Sequence, residues 1–225
     1  MMIKFNFLDN IIEITDDFIT TIEVENKKYF YRIIKNLYDI EKGILSENIV
    51  FFDENRKELN RNGKIKVYTN YFELQPNSNK VTNEMTKYFS NLLLEEDKLA
   101  IQKQYKKLVN LYKKFLNNLD IPLVVEENNS IDNILKQLKV SFNVQDNLLD
   151  NLLLILDIEH VFQFNDLLIF VNLKQYLNKV ELIELYKYAI YNKVQILLID
   201  SQSYGCTQNY EKKLIIDENL EEIVL

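Results

Sequence analysis

Residues 167–200 read LLIFVNLKQYLNKVELIELYKYAIYNKVQILLID, and this stretch decides the fold. Its ends, Leu167–Asn172 and Val194–Asp200, hold the continuous apolar runs LLIFV and ILLI and are of strand length. Between them, Lys179–Tyr191 returns apolar residues at the spacing of an amphipathic helix. Two continuous apolar runs joined through such a helix are the pattern of a parallel βαβ unit whose sheet is covered on both faces. An α/β fold class follows.

Working outward, a further strand is predicted at Lys213–Asp217. On the N-terminal side strands are predicted at Ile11–Ile14, Thr20–Glu25, Asn48–Phe52 and Ile65–Tyr71, with a helix at Tyr29–Tyr38. The turn-forming cluster Gln75–Asn79 (QPNSN) marks a boundary. Beyond it no Pro or Gly interrupts Thr82–Leu119, which reads as helix throughout. A shorter helix is predicted at Ile131–Leu138 with Ser130 as its cap, a short strand at Val140–Phe142, and helical spacing again at Asp146–Leu156. The expected organisation is an α/β head built from residues 1–79 and 140–225, with a helical insertion at 80–139.

Gly occurs three times and Pro twice in 225 residues, which favours long helices and plain strands. The single Cys206 permits no intrachain disulfide, and the opening MMIKFNFLDN lacks the basic and apolar regions of a signal peptide. No apolar run approaches the length needed to span a bilayer. The expectation is a cytoplasmic protein with no membrane association.

The formal charge of −7 conceals an asymmetry. Residues 1–79 carry 11 basic and 13 acidic groups, residues 80–119 carry 8 and 4, and residues 120–225 carry 8 and 17. A phosphate backbone responds to charge within about a Debye length, roughly 8 Å in physiological salt, so the +4 of the middle segment outweighs the chain's total. Between Lys98 and Asp120 there is no acidic residue and there are six lysines, Lys98, Lys103, Lys106, Lys107, Lys113 and Lys114. Ile101, Tyr105, Leu108, Tyr112, Phe115 and Leu119 recur at spacings of four and three and form one apolar stripe, with most of the lysines opposite. A solvated helix face normally mixes signs, because i,i+4 Glu–Lys pairs add about 0.2–0.5 kcal/mol each. A face of lysine alone forgoes that gain, and makes sense where the phosphates of DNA or RNA supply the anions. Lysine lacks the bidentate fork that reads guanine, so such binding is sequence-independent and steeply dependent on salt.

Several chemistries are disfavoured. No GxxxxGK[ST] occurs, and Gly43, Gly63 and Gly205 are too dispersed for a phosphate loop. Leu167–Asn172 ends in Asn172 where a nucleotide hydrolase would carry a magnesium-holding Asp. His160 is the only histidine, which excludes a two-histidine zinc site. Asp157, Asp200 and Asp217 leave open a metal-dependent nuclease, although strand-end aspartates are commonly turn formers. Just past the lysine-bearing helix, Asp120, Glu126, Glu127 and Asp132 lie close in sequence. Hard oxygen ligands of this kind suit calcium, without the spacing of an EF-hand; a solvated acidic loop is the alternative.

The order of a strand-rich start, a lysine-bearing helix pair, LLIFVN, an amphipathic helix, VQILLID, a loop with Tyr204 and Tyr210, and a closing KLIIDENL resembles the type II-A CRISPR adaptation proteins of the Csn-two family. The resemblance spans nearly the whole chain and is strongest from Leu167 to Leu220. It implies an α/β head similar to P-loop ATPases but without the Walker motifs or hydrolysis, and an inserted α-helical leg. It further implies a homotetrameric ring whose positive channel takes up double-stranded DNA at its ends during spacer acquisition, stabilised by calcium and working with the Cas integrase complex and the type II effector nuclease. Carried over, Lys98, Lys103, Lys106, Lys107, Lys113 and Lys114 become channel candidates, and Asp120, Glu126, Glu127 and Asp132 calcium ligands. Pro122 and Leu123–Val125 interrupt the family's acidic leg segment here. The competing readings are the nuclease and a purely structural partner whose long helix engages an acidic protein.

Overall fold

The computed structural model describes residues 1–118, 121, 123–125, 127, 130–205 and 208–225. The chain divides into two compact units, Met1–Leu74 with Gln145–Leu225, and Gln75–Val144. The divisions fall a few residues outside the expected 79/80 and 139/140 positions, so the turn-rich Gln75–Asn79 belongs to the helical unit.

In chain order the first unit contains β1 (Met2–Phe5), β2 (Ile11–Glu13), β3 (Ile19–Val24), α1 (Lys27–Glu41), β4 (Ile49–Phe52), β5 (Glu58–Leu59) and β6 (Ile65–Tyr68). The helical unit then supplies α2 (Asn79–Leu92), α3 (Glu95–Leu116) and α4 (Ile131–Gln137). The first unit resumes with α5 (Leu148–Phe162), β7 (Leu167–Val171), a 3-10 turn at Leu173–Gln175, α6 (Lys179–Tyr191), β8 (Ile196–Asp200), β9 (Glu211–Ile216) and β10 (Glu222–Val224). A six-stranded sheet has the order β10-β9-β3-β8-β7-β6, and a four-stranded sheet the order β2-β1-β4-β5. All neighbours from β9 to β6 run parallel, and only β10 is antiparallel. β7 and β8 pair directly, Leu168 opposite Ile196 and Val171 opposite Ile199, so the βαβ unit is formed as expected.

The apolar runs are continuous because each strand meets a core on both faces. Leu167, Ile169 and Val171 of β7 join one core with Ile33, Leu37 and Ile40 of α1 and Ile3, Phe5 and Phe51 of the small sheet. Leu168 and Phe170 face the other, with Leu152 and Leu156 of α5 and Leu185, Tyr186 and Ala189 of α6. Caps fix the helix starts. Asn26 accepts the amides of Lys28 and Tyr29, and Asn178 with Glu181 forms a reciprocal capping box on α6. β1 carried no sequence prediction; its MIKF run buries Ile3 and Phe5 on one face only, a pattern too short to stand out.

Two expectations are corrected. The stretch from 82 to 118 is not helical throughout: Leu93 and Leu94 both turn to extended backbone, with ψ of 134° and 154°, without any Pro or Gly to announce it, and α3 ends at Leu116. Val140–Phe142 is not a strand. The Asn77 side chain engages the Phe142 backbone twice, accepting its amide at 2.7 Å and donating to its carbonyl at 2.9 Å. That side chain takes the place of a ladder partner and clips together the two ends of the helical unit.

A candidate nucleic-acid interface

α3 is held in the helical unit through α4, and its only buried side chain is Val109. Gln102, Tyr105, Lys113 and Leu116 stand half-buried beside it. On a helical projection this packed side lies roughly 80° around the axis from the apolar stripe. The stripe is therefore the packing seam only at Ile101 and Tyr105, which are half-buried, and not beyond them. Leu108, Tyr112 and Phe115 remain 63, 56 and 62% exposed, and Leu111 beside them 67%. Among the described residues the helical unit buries only Pro76, Val81, Met85, Val109, Ile131 and Ile134 to the level of a core. An uncovered apolar strip of this extent is unusual for a free surface.

The lysines flank that strip. Lys103, Lys106, Lys107 and Lys114 are exposed, and among the described residues none of them takes part in an ion pair. The other two are engaged. Lys98 reaches Glu95 at 2.8 Å across the first turn, and Lys113 bonds the Glu127 carboxylate. Around the axis the order is lysine face, bare apolar strip, packed side. Glu95, Glu96 and Asp97 occupy the first turn of α3 and Lys113 and Lys114 the last, each set matching the helix dipole.

Of the four calcium candidates, Asp120 and Glu126 lie outside the described residues. Glu127 is paired with Lys113, and Asp132 sits in the first turn of α4. Among the described residues no group of three His, Cys, Asp or Glu side chains is arranged to hold a metal ion, so Glu127 and Asp132 by themselves make no cage for calcium. The nuclease candidates are occupied separately. Asp217 accepts the amides of Asn219 and Glu221, both at 2.8 Å, as a turn former does. Asp157 accepts the Tyr188 hydroxyl at 2.6 Å, and Asp200 is fully buried at the end of β8. His160 meets the Asn192 carbonyl at 2.8 Å, while Cys206 lies outside the described residues.

The sequence reading missed a buried ionic cluster on the face of the large sheet nearest α6. Thr21 and Glu23 of β3, Glu211 and Lys213 of β9, and Asp200 of β8 occupy positions where neighbouring strands carry Leu and Ile. Lys174, from the 3-10 turn, enters among them. Its ammonium lies 2.5 Å from Glu211, 3.2 Å from Glu23 and 3.9 Å from Asp200. Lys213 reaches Glu23 at 2.8 Å. The only available signal was charge placed at core-facing alternation in ITTIEV and EKKLII.

Architecture and site together define an α/β protein that carries a helical insertion with an exposed lysine face. The crystal structure of Stu0660 of Streptococcus thermophilus shares this fold, with a TM-score of 0.66 at 15% identity, covering 100% of this chain and 76% of that one. No curated protein matches the chain by sequence. The family model for the CRISPR-associated protein Cas_Csn2 matches residues 43–220, and the chain belongs to that family. This is the Csn-two family of the resemblance, and membership implies a role in CRISPR adaptation. Among the described residues no helix is long and apolar enough to cross a membrane.

Proposed function

We propose that this chain is a non-enzymatic subunit of a ring, a homotetramer, that clamps double-stranded DNA ends during spacer acquisition. The observation that carries the reading is the lysine face of α3: Lys103, Lys106, Lys107 and Lys114 stand exposed and unpaired on one helix of an otherwise acidic protein. Ammonium groups crowded on one face repel one another unless anions approach, and a duplex supplies one phosphate charge per roughly 1.7 Å of axis. Lys98 and Lys113 add to the field at the margins, each shared with a carboxylate of its own chain.

The bare strip of Leu108, Leu111, Tyr112 and Phe115 beside the lysines supports assembly. When copies associate through it, short lysine faces from several subunits converge, and a net negative protein gains a positive lining. Calcium is carried in this reading only as the assembly-stabilising ion that family resemblance suggests, and no step of DNA capture is routed through it. The integrase complex and the effector nuclease are the partners expected of this role.

The test is a binding comparison between linear duplex and small closed circles of the same sequence. A clamp that loads at ends binds the first and not the second, and leaves both uncut when Mg²⁺ is added. Equal affinity for the two topologies removes threading from the account, and cleavage would favour the nuclease.

A further inference from the structure

The buried cluster grips one segment of backbone. Between β8 and β9 the Tyr204 amide donates to Glu23 at 3.3 Å, the Gly205 carbonyl accepts from Lys213 at 3.0 Å, and the Gln208 amide donates to Glu211 at 2.8 Å. Three side chains of the cluster thus hold three backbone groups of the same turn. Inside, Thr21 donates to Glu211 at 2.5 Å, so Glu23, Glu211, Lys174 and Lys213 are all hydrogen-bonded. Asp200 differs. It is fully buried, its carboxylate oxygens have no hydrogen-bond partner of ordinary geometry among the described residues, the Lys174 backbone amide only easing its ionisation, and its nearest countercharge is the Lys174 ammonium at 3.9 Å.

Charge balance assigns the difference a meaning. Two ammonium groups and the carboxylates of Glu23 and Glu211 cancel without Asp200, and a third ionised carboxyl leaves one surplus negative charge in a dry interior. We propose that the cluster is a proton-operated latch: with Asp200 neutral it holds the backbone of Tyr204, Gly205 and Gln208 against the sheet, and loss of that proton loosens this backbone. The groups facing Asp200 fit this sign. Burial pushes its carboxyl up to about 7, Lys174 opposes that, and Glu23 and Glu211 reinforce it. The remaining neighbours are Tyr71, Tyr186 of α6 and Tyr204 of the turn, whose hydroxyls are all pushed up chiefly by burial and in part by Asp200 itself. Lys213 stays committed to Glu23.

Amide hydrogen exchange on the full chain, expressed as protection relative to the unstructured rate, reads the latch at Tyr204 and Gln208. The closed turn retains a proton that the open turn releases, so protection should fall about tenfold per pH unit between roughly pH 5 and 7 and level off above. Asp200→Asn, isosteric with the neutral acid, should keep the acid-form protection at every pH. A wild-type turn whose protection does not change over this range, or an Asp200→Asn profile identical to wild type, overturns the proposal. Should the variant not fold, the wild-type carboxyl carbon resonance decides: a midpoint near neutrality supports the latch, and one in the ordinary aspartate range, about 4, defeats it.

Discussion

The Lys174 ammonium lies 2.5 Å from a Glu211 carboxylate oxygen, with both side chains shut away from solvent. Lys174 leaves a 3-10 turn whose preceding residue, Asn172, takes left-handed backbone and accepts the Ser201 amide at 2.8 Å. The cation at the centre of the cluster is therefore placed by the loops, while its anions are placed by strands β3, β8 and β9. Removing it strands the Glu211 carboxylate in the interior and leaves Lys213 as the one cation beside Glu23. Lys174→Met should cost about 3–5 kcal/mol of stability, as breaking buried ion pairs does. Urea denaturation measures this, and a loss below about 1 kcal/mol would mean that water enters and solvates the site.

The same cluster sets the pH profile of folding. Asp200 has a folded pKa above its unfolded value, so the stability it contributes is fully present below about pH 4 and is lost as pH rises towards 7. Glu211 goes the other way. Burial pushes it up, but Lys174, Thr21 and the Gln208 amide win and hold it below its ordinary 4.5, so its contribution is lost on acidification through that lowered value. Maximum stability from this cluster should fall near pH 4, well on the acid side of neutrality. A denaturation midpoint that stays flat from about pH 5 to 8 would contradict the assignment.

Charge reversal on the exposed lysines separates DNA binding from stability. The triple variant Lys103→Glu, Lys107→Glu and Lys114→Glu should melt as wild type does, because none of the three ammonium groups has an internal ion pair to lose. Its salt dependence of duplex binding should be shallower by about 0.9 in slope per phosphate contact removed. Unchanged affinity and slope would favour the structural-partner reading.

The uncovered strip on α3 invites the complementary test. Phe115 and Leu108 are each more than 60% exposed, so Leu108→Lys with Phe115→Lys should leave the fold intact. The solution mass by sedimentation should then drop to that of a single chain, and DNA affinity should fall with it. An unaltered assembly would place the subunit contact elsewhere.

A calcium ion at Glu127, as family resemblance suggests, would compete with Lys113 for that carboxylate. If Glu127 is a calcium ligand, Lys113→Ala removes the ion pair and should tighten calcium binding, read by calorimetry as a lower Kd. The same Kd in both proteins would take Glu127 out of the ligand set.

What could be read from sequence followed the strength of each local signal. LLIFV and ILLID declare buried parallel strands because every residue but the closing Asp200 is apolar, and they pair in the structure as the pattern requires. The lysine face was equally legible, since charge on an exposed helix side needs no tertiary context. The direction in which α3 packs was not. The stripe through Leu108, Tyr112 and Phe115 has correct helical spacing, yet α4 covers the neighbouring side around Val109. Periodicity tells where an apolar face lies, and cannot tell whether the cover comes from the same chain. The break at Leu93–Leu94 left no trace because Leu is a good helix former. The ionic cluster was invisible for a different reason: Glu23, Lys174, Asp200 and Glu211 are far apart along the chain, and only the parallel order β9-β3-β8 brings them together.

Asn77 and Phe142 fasten the first and last stretches of the helical unit to each other. Such an appendage behaves like a cassette: its length can drift and its helices can be exchanged between relatives while the junction the α/β unit must accommodate stays the same. Two hydrogen bonds at its neck keep the ends of the excursion together, and added length in a flexible stretch of it costs little, since doubling a flexible loop costs only about 0.6 kcal/mol.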